Sequence, residues 1–258
     1  MDTKTLSSGA LAVIDQYLHF KVGQAVCSVP YFNNKTVMAK AALRARVGKG
    51  SPTEIAEEIG SFIVRQHISK EVLADETLKQ ILSDNGLGID CSGFAYYILD
   101  AESAERGQGA LEKKLAFVNC SGFFGKMRCS LKPAENCDVA TLAHDENSRV
   151  VPLEEAQPGD MITMLSGTEN VSRNHIMVIH QVERHDQAPM RLNYSHAIAY
   201  PEDGLYGSGV RQGSIEIIHP MKPLIEQNWI EDGKTGDDNR LLARAKGSKT
   251  ELRRLKWL

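Results

Sequence analysis

The apolar residues of this chain change their spacing once. Up to about residue 86 they recur at three- and four-residue intervals, and after Pro152 they alternate every second residue. The first spacing places them on one face of a helix, the second on one face of a strand. A chain whose helices come first and whose strands follow cannot be an alternating βαβ protein. It belongs to the α+β class.

The helical part has definite edges. Leu11, Ile14, Tyr17 and Leu18 predict a helix over residues 8–20. Val26 to Phe32 is short, apolar and interrupted by Pro30, which fits an extended segment. Thr36 to Val47 is expected to be helical and to stop at Gly48 and Gly50. Ser51-Pro52-Thr53-Glu54 is a helix start: the serine caps, the proline fits the first helical position, and the glutamate reaches back. Ile55, Ile59 and Ile63 carry that helix to about Gln66, and a further one spans about Val72 to Ser83 before Asn85-Gly86. The strand part contains Met161 to Leu165, His175 to Val182, Met190 to Ala197 and Ser214 to Ile218, expected to form an antiparallel sheet. Between the two lies a charged, irregular stretch, 101–150, with one short helix expected around Leu111 to Phe117. The organisation expected is a helical N-terminal extension (1–86), a core (87–225) holding the insertion 101–150, and a basic C-terminal tail (226–258).

Composition removes several classes. A chain of 258 residues, 42% hydrophobic, buries a real core without help from disulfides or metals. It has no run near the roughly 18 apolar residues of a membrane span. With 30 basic and 33 acidic side chains it is not a dedicated nucleic-acid binder. Residues 240–258 hold seven bases and one acid, leaving 23 bases against 32 acids elsewhere. Such a tail is a solvated helix, a frayed end, or a contact with an anionic surface or the protein's own acidic body. Met1 to Ala10 lacks a basic region followed by an apolar stretch, so a cytoplasmic location is the expectation. Five cysteines, without a C-x-x-C pair, point to free thiols rather than a disulfide framework. Nothing in the sequence sets an oligomeric state.

Cys91 opens the apolar run Ser92-Gly93-Phe94-Ala95-Tyr96-Tyr97-Ile98-Leu99. The first turn of a helix presents unpaired N–H groups and the positive end of the dipole, which favour a thiolate and can hold an oxyanion. Gly93 keeps side-chain bulk away from an approaching carbonyl. A nucleophilic cysteine needs a base, and His175 opens the strand His175-Ile176-Met177-Val178-Ile179. An imidazole needs a third polar group to fix its tautomer, and the next strand offers Asn193, Ser195 and His196.

Asp90-Cys91-Ser92-Gly93-Phe94, Pro158-Gly159-Asp160-Met161-Ile162 and Asn174-His175-Ile176-Met177-Val178-Ile179 resemble, in the same order, the three core motifs of the NlpC-family cell-wall cysteine endopeptidases. The resemblance covers about 87–100 and 153–200. It implies a papain-like α+β fold with a nucleophile helix on an antiparallel sheet, and hydrolysis of amide bonds in peptidoglycan-derived peptides without a metal or organic cofactor. On it, Cys91 is the nucleophile, His175 the base, and Asp90 and Ser92 line the substrate cleft. His196-Ala197 fits the family's third position, with Asn193 and Ser195 as the other choices. If the enzyme is cytoplasmic, soluble muropeptides suit it better than intact wall. The chain departs from the family in lacking an aromatic residue between Leu78 and Ile89, where Tyr31 is the available substitute, and in the distance between Cys91 and His175. A CHAP-type or other Cys-His amidase or acyltransferase, and a non-catalytic binding protein of the same fold, are the other readings.

Cys120-Ser121-Gly122-Phe123 repeats the cysteine motif, but Asn119 replaces the aspartate and Gly125-Lys126 interrupt the following helix. Cys120, Cys129, Cys137 and His144 could ligate a metal, but their long, irregular spacings without a C-x-x-C pair disfavour a structural zinc, and the cysteines are read as free buried thiols. Pro158-Gly159-Asp160 serves as a turn, and His180 faces away from His175 on a regular strand.

Overall fold

Eight strands among the described residues form one antiparallel sheet. They are β1 (Asp2–Thr5), β4 (Ser148–Val150), β5 (Met161–Leu165), β6 (His175–His185), β7 (Ala188–Ile198), β8 (Gly209–Glu216), β9 (Asn228–Glu231) and β10 (Lys249–Leu255); β2 (Phe20–Val22) and β3 (Ala25–Cys27) make a separate hairpin. The order across the sheet is β4-β10-β5-β6-β7-β8-β9. β5 pairs with the first half of β6, and β1 continues the same edge against Gln181–Arg184. This computed structural model describes residues 1–33, 44–118, 120, 122, 125, 129, 131–167 and 174–258.

Helices α1 (Ser8–Leu18), α2 (Pro52–Arg65), α3 (Asp75–Asp84) and α4 (Cys91–Glu105) cover one face of the sheet. Their apolar stripes, such as Ile55, Ile59 and Ile63 on α2, are fully buried with Met161, Ile176, Val178 and Ala197 from the strands. The capping box at Ser51 is formed: Glu54 N–H donates to the serine hydroxyl at 3.2 Å and Ser51 N–H donates to the glutamate carboxylate at 2.8 Å. The opposite face buries Met177, Ile179, Tyr194, Ile215 and Trp229 under α5 (Arg240–Lys246). Burial on both faces explains why the strands are richer in apolar residues than a half-solvated sheet would be. Among the described residues, no helix is long and apolar enough to cross a membrane.

The long β6–β7 hairpin turns at Asp186 and Gln187, both at positive φ (47° and 70°), as a two-residue primed turn requires. It absorbs the extra length between His175 and His196.

Several expectations change. The 1–86 segment is not a detachable extension, because β1 adds to the main sheet and α1 packs along α4. The basic tail is likewise integral, with β10 sitting between β4 and β5. Its bases meet the protein's own acids: Arg254 is 2.6 Å from Asp160, and the buried Arg253 pairs with Glu251 at 2.7 Å and with Asp145. That pairing leaves these arginines engaged rather than free for an anionic surface. The Thr36–Val47 helix falls largely outside the described residues; Arg44–Arg46 is a single 3-10 turn. Around Leu111 there is a 3-10 turn, Leu111–Lys113, in place of a helix to Phe117. Cys120 and Cys129 are joined in a disulfide, against the expectation of free thiols, so neither is a free nucleophile or metal ligand.

Candidate active site

Cys91 is the first residue of α4, and Asp90 is its cap. The Asp90 carboxylate accepts the N–H of Gly93 at 2.6 Å and the Ser92 hydroxyl at 3.0 Å. The backbone carbonyl of Asp90 takes the N–H of Phe94. Among the described residues, the N–H groups of Cys91 and Ser92 enter no hydrogen bond, so two donors of the first turn remain for an oxyanion.

Asp90 and Ser92 themselves are buried. Lys49, also buried, holds them: its ammonium lies 3.0 Å from the Asp90 carboxylate, donates to Ser92 Oγ at 2.6 Å and to the carbonyl of Cys137 at 3.0 Å. The two residues expected to line a cleft are therefore the internal support of the cysteine turn. Gly93 answers the same segment. A Cβ there would come within 2.9 Å of the Gly48 carbonyl and of Ile89, so the glycine makes room for the chain that carries Lys49 rather than for a substrate.

The β6–β7 ladder ends at Val178 and Ser195, short of both histidines. Beyond that point, the backbone N–H of Ile176, the residue after His175, acts electrostatically on the Cys91 sulfur. His175 is joined across the strands by its side chain, Nε2 to His196 Nδ1 at 2.9 Å. Both histidines are buried, and His196 packs edge-on against Tyr194. Cys91 thus comes from the helix-covered face, while the histidine pair lies with Tyr194 of the other core. Among the described residues no hydrogen bond links the sulfur to His175; with Nε2 committed to His196, Nδ1 is the ring nitrogen left for it. Of the other two choices for the third position, Ser195 bonds to His180 and Gln212, and Asn193 to Gln181 and Glu183; neither meets His175.

Burial pushes the Cys91 thiol up to about 11, and Asp90 adds to it, outweighing the lowering by Lys49, Arg244 and the Ile176 N–H. The helix terminus therefore does not give a resting thiolate here. Burial also holds His175 well below its ordinary range, helped by Arg244 and by His196. Both the Cys91 thiol and the His175 imidazole are thus neutral at rest.

Three neighbours carry no sequence signal of their own. Lys49 stands 42 residues before Cys91, within ordinary turn sequence. Glu231 closes β9 and brings Oε2 to 2.8 Å from His196 Nε2. Arg244 on α5 acts electrostatically on both Cys91 and His175. Tyr31 forms a parallel bridge with Ile89, two residues before Cys91, and lies in electrostatic range of the sulfur. A polar pocket lined by Tyr200, Asp203, Arg211, Glu231 and Arg240 reaches this cluster from the Glu231 side, not from Cys91. No protein-family model, curated protein or solved structure matches this chain.

Proposed function

We propose that the protein is a cysteine hydrolase of amide bonds with a papain-like core, in which Cys91 is the nucleophile, His175 the base and His196 its partner. The observation that carries this reading is a cysteine on the first turn of a buried helix, within electrostatic reach of the strand that opens with His175, a histidine that is itself paired to a second histidine. The chemistry follows from the protonation states. The thiol proton passes to His175 Nδ1 as sulfur attacks the carbonyl carbon, and the N–H groups of Cys91 and Ser92 hold the oxyanion. The C–N bond breaks, the amine leaves with the proton from His175, and a thioester remains. Water, deprotonated by the same nitrogen, cleaves the thioester and restores the thiol.

The resemblance of the three motifs supports peptidoglycan-derived peptides as substrate. The Cys120–Cys129 disulfide supports an oxidising compartment over a reducing cytoplasm as the place of action. A second reading, a non-catalytic binding protein, rests on the burial of Cys91, 6% exposed.

The test is incubation with purified muropeptides, followed by mass spectrometry, for the wild type and Cys91→Ala. Products that require Cys91 are expected, with kcat/KM flat through neutral pH and an acid limb well below 6.5, where His175 protonates. Absence of any cleavage by the wild type overturns the endopeptidase reading.

A further inference from the structure

We propose that Glu231 is a positioning residue that gives the histidine pair its direction, fixing His196 as the Nε2–H tautomer and thereby leaving Nδ1 of His175 as the unprotonated ring nitrogen. The proposal rests on the hydrolase reading above and deepens it.

The first argument is distance. His196 Nε2 and Glu231 Oε2 are 2.8 Å apart with both side chains buried. Away from water, a carboxylate oxygen so close to the ring nitrogen repels a lone pair there and attracts an N–H. The ring N–H stands off the straight line to the oxygen, so the contact is an electrostatic one more than a linear hydrogen bond. The requirement for a proton on Nε2 is the same.

The second argument is what holds the carboxylate. Tyr194 donates to Oε2 at 3.0 Å and Tyr200 donates to Oε1 at 2.8 Å. Burial raises the Glu231 carboxyl, but His196 and these two phenols outweigh it and keep it below its ordinary range. Arg211 lies over the Tyr200 ring and is paired to Asp203 and Asp232, so the nearby acids are neutralised among themselves. Arg244, from α5, faces both Tyr200 and His175. Glu231 is therefore an ionised acceptor in a fixed place.

The third argument is polarity along the chain of bonds. In the Nε2–H tautomer, His196 offers Nδ1 as an acceptor only. The 2.9 Å contact then needs the proton of His175 on its own Nε2. That leaves Nδ1 of His175 bare, as a base must be. Reversed polarity would satisfy the histidine–histidine bond equally well, yet would put a proton on His175 Nδ1 and block transfer from sulfur. Glu231 is the group that tells the two arrangements apart.

The test uses nitrogen-15 NMR of the histidine rings together with the iodoacetamide alkylation rate of Cys91 against pH, in the wild type, Glu231→Gln and Glu231→Leu. The expected wild type shows both His175 and His196 as Nε2–H tautomers. Glu231→Leu is expected to lose the single tautomer and to alkylate about 10-fold more slowly at neutral pH; Glu231→Gln, a neutral acceptor, is expected to fall between. An Nδ1–H tautomer of His196 in the wild type overturns the proposal, whatever the fate of the variants. So does a folded Glu231→Leu with unchanged tautomers and unchanged alkylation. If the tautomers are as proposed but wild-type protein cleaves no muropeptide, the hydrolase reading fails and the assignment of Glu231 stands.

Discussion

Lys49 is the side chain on which the cysteine turn depends most. It is a buried cation with three oxygen partners, one of them the Asp90 carboxylate that caps α4. Removing one member of a buried ion pair strands the other, at a cost of about 3–5 kcal/mol. Lys49→Met is therefore expected to lower unfolding free energy in urea by about 3 kcal/mol or more. Adding Asp90→Asn to it should cost less than the two single changes summed, because the stranded charge is gone. Strict additivity would show that the pair is not coupled. The sequence announces Cys91 and His175 because a nucleophile at a helix start and a base at a strand start need local patterns around them. Lys49 and Glu231 need none. Each is brought in by tertiary packing across a distance that no period or motif spans, and a lysine in a turn reads as solvated until a fold buries it. The protonation state of Cys91 was hidden for the same reason: a helix terminus is visible in sequence, while the burial that overrides it is not.

At the level of elements, the apolar core strands are the most legible. Met161–Leu165 has the limits its pattern predicts, and the capped start of α2 at Ser51 is where its residues place it. The short strands were not legible. β4 has three residues and β1 has four, too few to show a period. β10 was obscured by composition, since Arg253 and Arg254 alternate into buried and half-buried ion pairs that a basic tail would not make. Deleting residues 249–258 is therefore expected to destroy the cooperative fold rather than trim a loose end. Leu252 and Leu255 would leave the cores, and β4 and β5 would lose their shared neighbour. Circular dichroism melts check this, and an unchanged cooperative transition in the truncated chain would refute it.

For the whole molecule, buried titratable groups set the pH range of stability. His175 lies well below its ordinary value and His180 is pushed down to about 4, both chiefly by burial. The unfolded chain binds these protons near pH 6.5 and the folded one does not. Their contribution is full above 6.5 and is lost as pH falls toward the folded values, His180 alone accounting for about 3 kcal/mol. Burial pushes Cys91 up to about 11 and Cys137 up to about 12. Their contribution is full below about 9 and is lost as pH rises through those values. Melting temperature is thus expected to hold a plateau from about pH 6.5 to 9 and to fall on both sides. A rise on acidification to pH 5 would contradict it.

The place of β10 between β4 and β5 also sets a timetable. A ribosome makes β4 and β5 before β10, so while the 83 residues between β5 and β10 emerge, β5 carries an open edge. That edge is paired with β10 in the finished protein. Nascent chains stalled before residue 249 should accordingly be the species that chaperones hold.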